Sequence, residues 1–149
     1  METDKHELVG SLPDGRPARA DVQVTRPHAL VSLKLLALDD RYRNVRGPAQ
    51  AEHDREEART HAGDIVAVLS AQTNLGEFGK RFGSQFGQDT ALKGRAHQTI
   101  RDYFGDESKP GLVLHAESLI ATLPSSETVR DLGSELRRAQ RLVSSLLPE

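Results

Sequence analysis

The stretch Arg26-Pro-His-Ala-Leu-Val-Ser-Leu-Lys-Leu-Leu-Ala-Leu-Asp-Asp-Arg41, followed about twenty residues later by His61-Ala-Gly-Asp64-Ile, decides the fold. Pro27 comes just after Thr25 and Arg26 and suits the first turn of a helix, where its missing N–H would have no intrahelical partner. The spacing predicts a helix from there to about Asp40, with Leu30, Leu33 and Ala37 on one stripe. Lys34 sits inside it among Leu33, Leu35, Leu36 and Leu38. Its ammonium must either snorkel to the surface or meet a buried anion, because an unpaired charge is costly away from water.

Outward toward the C-terminus, the pattern stays α-helical. The segment from Arg41 to Pro48 holds Arg41, Arg43, Arg46 and a Gly-Pro pair, which reads as a loop. A second, longer helix follows from about Ala49 to Ser70, with Ala58, Ala62, Ile65 and Leu69 at helical spacing. Between Leu75 and Gly87, Phe78, Phe82 and Phe86 recur at intervals of four, a stripe that reads as core or subunit interface. The four glycines of that stretch weaken a helix by roughly 1 kcal/mol each relative to Ala, so its order should depend on packing. Asp89 is a cap candidate for a helix carrying Leu92, Ala96, Ile100 and Phe104 and ending near Gly105. A polar link leads to a helix presenting Leu112, Ala116, Leu119 and Leu123. After Pro124 and the cap candidates Ser125 and Ser126, the last helix repeats Val129, Leu132, Leu136, Ala139 and Val143.

Toward the N-terminus the chain is polar. Asp14-Gly15 is a turn dipeptide that suits a hairpin, and Ala20-Asp-Val-Gln-Val24 alternates like a short strand. The expected architecture is mainly α: a single domain over 1–149 in which residues 1–24 carry a short β strand or hairpin and 25–149 form a helical bundle.

Composition bounds the chemistry. The chain has 149 residues, enough to bury a real core, but four Phe, two Tyr and no Trp, so that core is built mainly from Leu, Val, Ile and Ala. A net charge of −2 argues against binding nucleic acid through bulk positive potential, leaving only a local patch for that role. The absence of Cys removes disulfides, thiol catalysis and thiolate metal sites, and suits a reducing cytoplasm. No apolar run reaches the roughly 18 residues of a membrane span, and Met-Glu-Thr-Asp-Lys is not a signal peptide. A cytoplasmic protein with no membrane partner is the expectation.

Lys34, the Arg41, Arg43 and Arg46 cluster, and Asp64 form a constellation that resembles AbiEii-like nucleotidyltransferases of toxin–antitoxin and phage-defence systems. In the helical region after that family's catalytic sheet, a helix of the form Pro-x-x-Leu-x-x-Leu-Lys-Leu-x-Ala is followed by Arg, then by a second helix with an Asp-Ile or Asp-Leu pair. The likeness covers roughly residues 19 to 70. It implies that Lys34 reaches nucleotide phosphates, with Asp64 holding the site together; a carboxylate can orient Lys or Arg against phosphate oxygens. The family's catalytic signature, Gly-Ser followed by paired carboxylates that bind two Mg²⁺, meets only Gly10-Ser11 and Asp21-Val22-Gln23 here. Gln23 is neutral where the second carboxylate belongs, and Pro13-Asp14-Gly15 makes a turn where the family begins a helix. The expectation is therefore a chain inactive alone and holding no cofactor by itself. Mg²⁺ and a nucleoside triphosphate would be engaged if a companion catalytic chain completed it; that chain, an antitoxin, RNA or nucleotide, and further copies in an oligomer are the partners implied.

Two other readings stand beside this one. His53, Glu57 and His61 fall on one helical face at spacings of four, but zinc sites place the two His themselves four apart, so the face reads as solvated and charge-laced with no metal. The Arg loop, with Tyr42 interleaved, could contact phosphates or stack on a base, while Asp39, Asp40 and Glu52 nearby can neutralise it. The alternative function is a self-contained helical interaction module contacting protein or nucleic acid through that loop.

Overall fold

The computed structural model describes residues 3–44, 46–122 and 131–148. Its first elements are β1 (Thr3–Ser11) and β2 (Pro17–Thr25), which pair antiparallel from Thr3↔Thr25 to Ser11↔Pro17. At the turn, Leu12 N–H donates to Arg16 O at 2.9 Å and Gly15 N–H to Leu12 O at 2.8 Å. Gly15 adopts φ +82°, a conformation that costs glycine little, and the Asp14 carboxylate accepts the Arg16 N–H at 3.1 Å. Alternation in the sequence revealed only Ala20 to Val24; β1 escaped it because Asp4, Lys5, His6 and Glu7 carry no apolar period. Pairing comes instead from the turn and from cross-strand charges, Lys5 with Asp21 at 2.7 Å and Arg19 with Glu7 at 3.4 Å.

Six helices follow: α1 (Pro27–Arg43), α2 (Pro48–Ser70), α3 (Leu75–Ser84), α4 (Thr90–Phe104), α5 (Pro110–Thr122) and α6 (Leu132–Ser144). The fold is mainly helical with an N-terminal two-stranded hairpin, as the sequence indicates. α1 packs along α2, α2 along α5, and α4 and α6 close the bundle. Among the described residues, no helix is long and apolar enough to cross a membrane.

The burial pattern corrects two details of α1. The buried stripe is Val31, Leu35 and Leu38, not Leu30, Leu33 and Ala37; Leu33 is exposed. Eight of the ten positions from Ala29 to Leu38 are apolar, so periodicity cannot choose the inward face; packing against α2 and α4 does. The helix also runs through Arg43 instead of stopping near Asp40, which places Arg41 and Arg43 on α1 and leaves only Arg46 in the connection. That connection turns at Gly47, φ +105°, a backbone conformation that favours glycine, just before Pro48 opens α2.

α3 shows how packing overrides propensity. Gly76, Gly79 and Gly83 lie within it, at roughly 1 kcal/mol each. Burying Phe78, Phe82 and the following Phe86 contributes about 2 to 3 kcal/mol per ring, which outweighs the glycines, and the Asn74 side chain caps the helix by accepting the Glu77 N–H at 3.0 Å. The same three rings form part of the central core with Leu35, Leu38, Ile65, Leu69, Ile100 and Phe104. Asp89 caps α4 through the Leu92 N–H at 2.8 Å, and Ala96, Ile100 and Phe104 are buried while Leu92 remains exposed. α5 starts at Pro110, two residues before Leu112. The Asp131 side chain caps α6. Leu123, Pro124, Ser125, Ser126 and Val129 lie outside the described residues.

Candidate functional site

α1 and α2 run antiparallel, and each presents charged residues seven apart, two helical turns, on the edge facing the other. Lys34 therefore meets Asp64, and Arg41 meets Glu57. Lys34 Nζ lies 2.7 Å from Asp64 Oδ2 and 3.5 Å from His61 Nδ1, with a quarter of the Lys34 side chain still exposed. Burial pushes the His61 pKa below its ordinary value, and the Lys34 charge pushes it the same way, against the opposing pull of Asp64 and Glu57. A neutral imidazole follows at neutral pH, with Nδ1 able to accept a hydrogen bond from the ammonium.

One heptad along, Arg41 Nε is 2.6 Å from Glu57 Oε2, a close ion contact without hydrogen-bond alignment, and Arg41 Nη1 is 3.7 Å from Asp54 Oδ1. Arg46 converges on the same carboxylates. Its backbone N–H donates to Asp54 Oδ2 at 3.1 Å, and its Nε and Nη2 donate to Oδ1 at 3.0 and 2.6 Å. The Arg46 side chain, then its backbone N–H, hold the Asp54 carboxyl below the usual range despite burial. Asp54 thus staples the α1–α2 connection to α2.

Arg43 belongs to a different cluster. Residues 41 and 43 are two apart on one helix, about 200° around its axis, so Arg41 faces α2 while Arg43 faces α4. Arg43 donates to Asp39 Oδ1 and, at 3.0 Å, to Asp102 Oδ2. Arg95 of α4 donates to Asp39 Oδ2 at 3.0 Å and also to Asp40, and the Tyr103 hydroxyl reaches Asp39 Oδ1 at 3.2 Å. Burial alone raises the Asp39 pKa, but the hydrogen bonds from Arg95, Arg43 and Tyr103 outweigh it and hold the carboxyl below its ordinary value. Tyr103 is pushed up to about 12, chiefly by burial.

The structure thus brings Lys34, Asp64, Arg41 and Arg46 onto one seam between α1 and α2 and places Arg43 on another. Asp39, named from the sequence as an acid that can neutralise the Arg segment, does pair with Arg43, its i,i+4 neighbour on α1. Sequence reasoning missed Asp54, Arg95 and Tyr103 as partners; Arg95 and Tyr103 lie too far along the chain for any local signal. Each Arg of the cluster faces at least one carboxylate, so the seam carries little net positive potential.

The residues that would have to hold Mg²⁺ do not fit it. Gly10 and Ser11 lie in β1, Asp21 is engaged by Lys5 at 2.7 Å, and Gln23 offers only a neutral amide. His53 Nε2 lies 3.6 Å from Glu57 Oε1 whereas His61 turns to Lys34, so these three do not converge on one point. Among the described residues, no group of three or more His, Asp or Glu is arranged to hold a metal ion. No protein-family model, curated protein or solved structure matches the chain.

Proposed function

We propose that this chain is the helical portion of an AbiEii-like nucleotidyltransferase assembly of toxin–antitoxin or phage-defence type, cytoplasmic and not catalytic alone. The observation that carries the reading is the Lys34 ammonium. It has three N–H donors; Asp64 and His61 engage two, which leaves one for a further acceptor on a side chain still a quarter exposed. A phosphate oxygen can take that third donor without breaking the Asp64 pair. Asp64 then acts as a positioning residue, fixing the ammonium, and Arg41 lies one heptad along the same seam. The paired carboxylates and Mg²⁺ of nucleotidyl transfer come from a companion chain on this reading, since Asp21 and Gln23 cannot supply them.

The test is calorimetric titration with a nucleoside triphosphate at low ionic strength, where phosphate contacts are least screened. Weak binding is expected, abolished by Lys34→Met, which keeps the aliphatic stem and removes the charge, with helical content unchanged. The chain alone should incorporate no labelled nucleotide with Mg²⁺ or Mn²⁺. Equal binding by both proteins, or by neither, overturns the phosphate role.

The second reading is a self-contained helical interaction module contacting protein or nucleic acid through its Arg-rich segment. Arg41, Arg43 and Arg46 are engaged by Asp54, Glu57, Asp39 and Asp102, so on this reading the partner must displace some of these acids. Retention of a protein partner by the Lys34→Met variant separates this reading from the first.

A further inference from the structure

β1 and β2 form a ribbon of two nine-residue strands, and neither has an extended contact with any helix among the described residues. Two strands alone are at best marginally stable in water, and three or more with an apolar face are normally needed. The ribbon has such a face. By the register, Leu8, Ala18, Ala20, Val22 and Val24 share one side, with Asp4, His6 and Gly10 on the same side of β1, and Leu8 is 57% and Val24 48% exposed. The other side carries the Lys5–Asp21 and Glu7–Arg19 pairs.

The edges differ. Leu12 and Arg16 are hydrogen-bonded at the turn, so by the alternation of an antiparallel ladder the even-numbered residues of β1 bond to β2. Thr3, Lys5, Glu7, Val9 and Ser11 then turn their N–H and C=O groups outward. β1 contains no proline, whereas β2 opens with Pro17, which has no N–H to offer a neighbouring strand.

We propose that the β1 edge receives β1 of a second copy of this chain, antiparallel about a two-fold axis at His6, joining two ribbons into one four-stranded sheet. The charges select both occupant and register. With the axis at His6, Lys5 of each copy stands opposite Glu7 of the other, and Thr3 opposite Val9. Centring the axis on Glu7 instead sets two carboxylates face to face, and centring it on Leu8 leaves Lys5 opposite Ser11, with no charge pair. In the favoured register the alternating charges run across the sheet as Asp21, Lys5, Glu7, Arg19, while on the other side the two His6 meet at the axis and Leu8 of each copy stands opposite Asp4 of the other. This inference is independent of nucleotide binding at Lys34.

Sedimentation velocity on the full chain over a dilution series tests it. The expected result is a dimer that dissociates on dilution. Lys5→Glu and Glu7→Lys should each weaken it roughly tenfold or more, because each turns both cross-strand attractions into repulsions. An equimolar mixture of the two variants should restore a dimer holding one chain of each, resolved by native mass spectrometry, since the two acids on the edge of the Lys5→Glu chain then face the two lysines on the edge of the Glu7→Lys chain. Circular dichroism checks that both variants keep the helical body. A wild-type chain that is monomeric throughout, a Lys5→Glu chain that dimerises like wild type, or a mixture that stays monomeric overturns the proposal.

Discussion

Asp39→Asn removes the anion at the centre of the α1–α4 contact while preserving its shape. Asp39 is 6% exposed and accepts from Arg43, Arg95 and the Tyr103 hydroxyl. A hydrogen bond to a charged group contributes about 1.5 to 3 kcal/mol, but the two arginine side chains are 57% and 44% exposed, so their share is screened by water. Both also keep a second acid, Asp102 for Arg43 and Asp40 for Arg95. The net cost should be about 2 kcal/mol, which for a domain of this size lowers Tm by roughly 4 to 8 °C. The acid dependence gives the sharper test. The folded-state pKa of Asp39 lies below that of an unfolded Asp, so its contribution is fully present above about pH 4 and is lost as pH falls through the folded value. Denaturant unfolding of wild type and Asp39→Asn from pH 7 to pH 2 should therefore show a gap that is constant above about pH 5 and closes below about pH 4. A Tm within a degree of wild type, or a gap that is unchanged at pH 2, would show that the carboxylate does not hold α1 to α4.

Two further outcomes follow from burial. Gly111→Ala in the first turn of α5 should destabilise by roughly 1 to 3 kcal/mol, because its Cβ would stand 2.6 Å from Tyr103 O and 2.9 Å from the Phe104 ring; thermal melting that matches wild type would show that α5 can back away at no cost. His115 is 4% exposed with neither ring nitrogen hydrogen-bonded, and burial holds its pKa below the ordinary value. The unfolded state therefore binds protons first on acidification, so wild-type stability should decline below about pH 6.5, and His115→Phe should reduce that decline and leave stability at pH 8 equal or higher. Parallel pH curves for the two proteins count against it.

The helices were legible because their punctuation is local: Pro27, Asp89 and the Phe78, Phe82 and Phe86 stripe act within a few residues of themselves. β1 was not, since its pairing partner and not its own period makes it a strand. The inward face of α1 was hidden by an excess of apolar residues, which leaves the choice to α2 and α4. At the candidate site, Lys34 and Asp64 stand together across the α1–α2 seam. Arg41, Arg43 and Arg46, grouped in the sequence as one loop, divide between two seams, because a loop would let neighbouring side chains converge whereas a helix sends positions 41 and 43 in opposed directions. The staple at Asp54 could not be seen because Arg46 reaches it with its backbone N–H as well as its guanidinium.

The paired heptad spacing of α1 and α2 also sets how far the two helices can slide. A slip of one turn, about 5.4 Å, would put Lys34 opposite Thr60 or Val68 and Arg41 opposite His53 or His61. Either slip strands both cations at once, so the two contacts act as a vernier with a single matching position. Losing one of them leaves the other to fix the register. That redundancy lets Lys34 exchange its charge for a methionine side chain while the helix pair stays aligned, which keeps the proposed phosphate contact and folding experimentally separable at this seam.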